Sequence, residues 1–149
     1  MLALQHGVNL SMKNYNNFIL VTFIALILSA CATGPPTQEE FSKADYGRVV
    51  TQGEAQPLAE NYLSNRLKDP YSAQYEWGNV YKGWIRHAPI HGGGLVFGYI
   101  LDVKVNARNS FGGYVGFKPY RFVYKNGNIV TIYGQQSLDG GTTYMGKLY

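Results

Sequence analysis

With only one cysteine in 149 residues, Cys31, the chain cannot form an internal disulfide. Any domain it builds must be held by a packed core, even in an oxidising compartment. Acids are also scarce, nine against thirteen lysines and arginines, and the formal charge of +4 is not gathered into a run of one sign. That pattern leaves no electrostatic footprint for nucleic acid. The long apolar segment FILVTFIALIL (Phe18 to Leu28) stops short of the roughly 20 residues that a membrane-spanning helix needs. Nothing repeats at a fixed period, which excludes a solenoid. The chain also lacks a G-x-S-x-G elbow, an H-E-x-x-H pair, paired cysteines and a Walker loop. The familiar hydrolase, zinc and nucleotide motifs are therefore missing.

What is present begins with that apolar segment. A polar stretch with Lys13 precedes it and small residues follow it, the layout of a secretory signal peptide. Leu28-Ser29-Ala30-Cys31, followed by Ala32, resembles the lipobox of bacterial lipoproteins. The resemblance implies that the Cys31 thiol is diacylated, that the peptide before it is removed and that the new amino terminus is acylated. Each acyl CH₂ entering a bilayer contributes about 0.8 kcal/mol and stable anchoring takes about two chains, so such a modification suffices as an anchor. Met12 offers a compact alternative start. Residues 1–30 are thus expected to be a signal peptide, outside the folded domain. Ala32, where enterobacterial inner-membrane lipoproteins carry aspartate, implies an outer-membrane anchor facing the periplasm.

Gly34, Pro35 and Pro36 oppose regular structure, and residues 31–45 read as the lipidated cysteine and a flexible tether, with one domain over 46–149. From Gln56 the spacing turns helical: Leu58, Ala59, Tyr62, Leu63 and Leu67 share a face, Pro57 suits a first turn, and Asp69-Pro70 ends the run. The spacing predicts one amphipathic helix over about 57–68. Beyond Pro70, Tyr99, Leu101, Val103, Val105 and Ala107 alternate with Ile100, Asp102, Lys104 and Asn106, a strand with one buried face. Asn126-Gly127 supplies the positive-φ pair of a tight hairpin turn. A further strand is expected within AQYEWGNVYKGWI, with Gly78-Asn79 able to break or bulge it. These elements predict an α+β domain, one N-terminal helix packed on an antiparallel sheet of about four strands.

Two segments invite a chemical reading. In HAPIHGGGLVFG, His91-Gly92-Gly93-Gly94 copies the HGGG oxyanion motif, but no serine sits on an elbow to use it. His87 and His91 would share a helical face, which Pro89 and three glycines forbid, and no third ligand stands nearby in sequence. A glycine loop with solvated histidines is the expectation, with no metal and no cofactor. The carboxylates Asp69, Glu76, Asp102 and Asp139 show no spacing that marks an acid and base pair, so no catalytic residue is assigned. In the second segment, residues 105–120, the polar Arg108, Asn109 and Ser110 lie among glycines and the large rings of Phe111, Tyr114 and Phe117. These six are the candidate binding residues, suited to stacking on a sugar or seating a peptide. The alternative is a wide connection whose rings close the end of the core.

The segments LKDPYSAQY (Leu67 to Tyr75) and VNARNSFGGYVGF (Val105 to Phe117) resemble small bacterial and phage-encoded proteins, many of them lipoproteins. Those proteins share L-K-D-P-x-S-A followed by V-N-A-(K/R)-N-S-F-G-G-Y-x-G-F. The likeness spans about residues 55–125 and brings no catalytic residue. It implies that the two segments belong to one folding unit, with Asp69-Pro70-Ser72 shaping the helix exit. Together these readings give a lipid-anchored envelope protein that is not an enzyme. It would act as an accessory or scaffold component, binding another envelope protein or peptidoglycan. A periplasmic inhibitor or phage-type exclusion lipoprotein is the alternative, and a cell-wall hydrolase a minor one. Mass spectrometry of the mature product should find acyl chains on Cys31 and no residue before it; a bare thiol, or a chain still carrying residues 1–30, would contradict the anchor.

Overall fold

The computed structural model describes residues 34–137 and 142–149, which places Cys31, the signal segment and Asp139 outside the described residues. One compact unit runs from Pro36 to Tyr149. In chain order it contains α1 (Gln38–Ser42), α2 (Gln52–Ser64), β1 (Asp69–Trp77), β2 (Tyr81–Arg86), a 3-10 turn (Pro89–His91), β3 (Leu95–Arg108), β4 (Lys118–Lys125), β5 (Asn128–Ser137) and β6 (Thr143–Lys147). The α+β class holds, but the antiparallel sheet has six strands instead of about four.

The sheet is organised by β3. Its 14 residues give it a length of about 45 Å, long enough to pair with two strands end to end along one edge. β1 takes positions 103–108 and β2 takes 95–100, while β4 runs along the other edge and continues the order to β5 and β6. The break between β1 and β2 falls at Gly78-Asn79. Gln52, in the first turn of α2, serves the polar groups that the break leaves over. Its side-chain amide donates to the Gly78 carbonyl at 3.0 Å, and its side-chain oxygen accepts from the Val80 N–H at 2.9 Å.

The odd-numbered face of β3 behaves as its alternation predicts. Tyr99, Leu101, Val103 and Val105 are buried against Phe122 and Tyr124 of β4, Ile132 of β5 and Ala55, Ala59 and Leu63 of α2. Alanines four apart let the helix backbone come close to the sheet. The Tyr124 hydroxyl donates to the Ala55 carbonyl at 2.8 Å, and burial pushes its phenol pKa up.

The helix starts five residues before, and ends four residues before, the expected 57–68. The Glu54 carboxylate accepts from the Thr51 N–H at 2.9 Å and so closes the amino end early. At the other end Asn65 donates its side-chain amide to the Asn61 carbonyl at 2.7 Å, replacing a backbone donor and ending the helix. Pro57 therefore lies inside the helix, and Leu58, expected in the core, is exposed. Asp69, Pro70 and Ser72 belong to β1 and not to the helix exit.

Within the described part of the expected tether over 31–45 a short helix stands in place of extended chain. Thr37 and Glu40 form a capping box that starts α1. Glu40 pairs with Arg86 of β2 at 3.0 Å, and the Phe41 ring meets Phe97 of β3 with 5.7 Å between centroids. Both contacts join residues far apart in sequence, which is why composition alone suggests an extended segment.

The other face of β3 is partly buried too, because the β2–β3 hairpin overhangs β4 and curls back. Ile100, Val123 and Thr131 are all almost fully buried on that side. Gly98 permits the close crossing: a Cβ there would collide with the Tyr124 carbonyl. At the hairpin tip Gly92, Gly93 and Gly94 all take positive φ. His87 is consequently not solvated as expected. Its ring stacks beside Tyr133, with Nδ1 3.2 Å from the Tyr133 hydroxyl and Nε2 3.4 Å from Thr131 Oγ1. Thr131 already donates its hydroxyl proton to the Val130 carbonyl. Nε2 therefore carries the imidazole proton, and Nδ1 accepts from Tyr133.

Burial holds the His87 pKa below its ordinary 6.5, with Lys147 and His91 adding repulsion. A depressed folded value means that the neutral ring stabilises the fold above pH 6.5, and that this contribution is lost as pH falls below it. The carboxylates of Glu40, Asp45 and Glu54 are each held low, chiefly by a backbone N–H, and withdraw their support only below about pH 4.5. Thermal melts should therefore show a first decline in stability just below pH 6.5 that His87→Gln removes; a wild-type melting temperature that is flat from pH 7 to 5 would contradict the packing of His87.

Candidate functional site

The six candidate binding residues lie at the C-terminal end of β3 and in the connection to β4. Arg108 closes β3, and its N–H donates to Ser72 Oγ on β1 at 2.9 Å. Ser72 in turn donates its hydroxyl to the Asp69 carbonyl at 2.8 Å and receives the Tyr114 hydroxyl on its own carbonyl at 3.2 Å. The LKDPYSAQY and VNARNSFGGYVGF segments thus meet at this end of the sheet through Ser72. A bridge between Arg108 and Tyr114 narrows the loop, and the Arg108 guanidinium lies 5.3 Å from the centre of the Tyr114 ring.

Asn109 organises the tip. Its side-chain oxygen accepts from the Phe111 N–H at 2.9 Å and the Gly113 N–H at 3.1 Å, while its own N–H donates to the Gly113 carbonyl at 2.8 Å. Gly112 donates to the Asn109 carbonyl at 3.0 Å, and Gly116 donates to Asn106 Oδ1 at 3.0 Å. Gly112 takes φ of 81°, a left-handed conformation that an L side chain rarely adopts. Short asparagine bonds like these fold the backbone on itself and leave the side chains to point outward.

The rings do not close the core. Phe111 is 95% exposed, and Tyr114 and Phe117 are 45% and 42% exposed. Tyr71, beside Ser72 on β1, is fully exposed at the same end of the sheet, and Val115 is also exposed. Sequence reasoning missed Tyr71 and the joining role of Ser72, since both depend on how β1 registers against β3. The irregular register between Asp69 and Gln74 is what presents them here. Ser110 is exposed beside Phe111.

The other candidates are dispersed. Asp102 pairs with Arg121 through two contacts of 2.7 and 3.0 Å and accepts from the Tyr81 hydroxyl at 3.1 Å. Glu76 pairs with Lys104. Among the described residues, no group of three metal-ligating side chains comes together, and no helix is long and apolar enough to cross a membrane. A groove of about 560 Å³ lies beside α2 and β5, where Leu58, Tyr62, Arg66 and Ile129 meet. Comparison with protein-family models, curated proteins and solved structures finds no match for this chain.

The loop geometry separates framework from contact surface. Phe111→Ala should shift stability by less than about 0.5 kcal/mol, because that ring is almost fully solvated, whereas Tyr114→Ala also removes the hydroxyl bond to the Ser72 carbonyl and should cost about 1 kcal/mol. Asn109→Ala, which strands two backbone donors, should cost about 1 kcal/mol or more and loosen the loop. Denaturant titrations measure all three, and a collapse of the fold in the Phe111→Ala variant would contradict the exposure of Phe111.

Proposed function

We propose that this chain is a lipid-anchored protein of the bacterial envelope, related to the small lipoproteins that share its two motif segments. In this reading Cys31 carries the lipid, the anchor lies in the outer membrane and the domain faces the periplasm. The protein acts by binding, as an accessory or scaffold component, and not by catalysis. Its contact surface is the loop of Arg108, Asn109, Ser110, Phe111, Tyr114 and Phe117, joined by Tyr71.

One observation carries this reading. A ring as large as Phe111 stands almost fully exposed on a loop whose amides are already hydrogen-bonded within the chain. Exposed apolar rings that cluster on one end of a small domain mark an interaction surface. A loop fixed before it meets a partner loses little entropy on binding, so more of the contact energy becomes affinity. Aromatic anchors of this kind supply most of the energy in many interfaces.

Capture of the lipidated chain from crosslinked envelopes should recover one stoichiometric envelope component. Phe111→Ala with Tyr114→Ala should abolish that recovery while the circular dichroism remains that of the folded domain. Equal recovery by the folded double variant would overturn the assignment of the loop. Recovery of a single inhibited enzyme or phage protein would favour the inhibitor reading instead.

A further inference from the structure

The loop and α1 occupy opposite ends of β3. α1 docks on Phe97 near the start of that strand, and the loop begins after Arg108 at its end. From Tyr99, past the bend at Gly98, to Arg108 the strand spans about 30 Å.

Charge adds a second, independent observation. From residue 103 to residue 138 the sequence contains no aspartate or glutamate, yet it holds Lys104, Arg108, Lys118, Arg121 and Lys125. Lys104, Arg121 and Lys125 are matched by Glu76, Asp102 and Asp45. Arg108 and Lys118, which bracket the loop, make no ion pair among the described residues; Asp69 faces Arg108 in register without forming one. The far end therefore presents exposed rings between two cations left for an outside anion.

We infer that this end of the domain binds the carboxylate-bearing glycan of the cell wall, its rings stacking on sugar faces and Arg108 and Lys118 meeting the carboxylates. The C–H face of a sugar is weakly positive and complements the negative face of an aromatic ring. A guanidinium and an ammonium bond carboxylates in charge-assisted fashion. A standard protein interface takes about 20–30 residues a side. The loop from 109 to 117 with Tyr71 is narrower than that and suits a linear polymer.

This inference rests on the binding role of the loop, and a single experiment separates the two. A photo-crosslinking benzophenone amino acid replaces Phe111 in the full lipidated chain, and intact cells are irradiated. The expected product is a high-mass smear that lysozyme digestion collapses to the chain plus muropeptides. Arg108→Gln with Lys118→Gln should lower its yield severalfold without altering the melt. A discrete adduct that resists lysozyme and yields to protease, or a lipid adduct, would overturn the glycan inference and leave a binding loop standing. No adduct above the unirradiated control would overturn both.

Discussion

The fold depends on the length of β3 and on its being paired along both edges. β1 and β2 share one edge, β4 takes the other, and the odd-numbered side chains of β3 provide the floor on which α2 rests. A shorter strand could not hold β1 and β2 end to end. The domain would then lose either the Arg86 contact of β2 with Glu40 of α1 or the register that brings Ser72 to Arg108. With no disulfide available, burial of Leu101, Phe122, Tyr124, Leu63 and Ile132 must supply the cohesion, and all five are fully buried. Completely burying side chains of this size contributes roughly 1.5–3 kcal/mol each against the entropy of the ordered chain.

Because β3 is long, the domain has two distinct ends. Near Phe97 the aromatic cluster of Phe41 and Tyr46 and the Glu40–Arg86 pair fasten α1 to the sheet. Near Arg108 the side chains of Ser72, Asn106 and Asn109 bond the backbone of the connection to β4, so that its rings are left to solvent. Apolar contact builds one end and polar side chains serve the other.

Much of this was legible in the residues. The strict alternation from Tyr99 to Ala107 marks β3, Asn126-Gly127 marks the hairpin with φ of 53° and 82°, and Gly78-Asn79 marks the break between β1 and β2. Other features escape local pattern for physical reasons. The helix starts early because Glu54 reaches back to Thr51, a bond that competes with the weaker signal of Pro57. The docking of α1 depends on a phenylalanine pair more than fifty residues apart, and β6 is a short edge strand with exposed side chains and no clean alternation. At the candidate site, the six residues of the loop are visible as rings among glycines. Their exposure follows from the asparagine bonds that fold the loop backbone on itself, and the addition of Tyr71 from the irregular register of β1.

The claim on which the rest turns is that α1 and the aromatic loop lie at opposite ends of β3. Spin labels on Ser42→Cys and Ser110→Cys, in a chain whose Cys31 is replaced by serine, measure that separation by pulsed dipolar spectroscopy. A single distribution centred beyond about 30 Å is expected from the length of the intervening strand. A distribution centred below about 20 Å would mean that the strand is folded back and that the two ends are one surface.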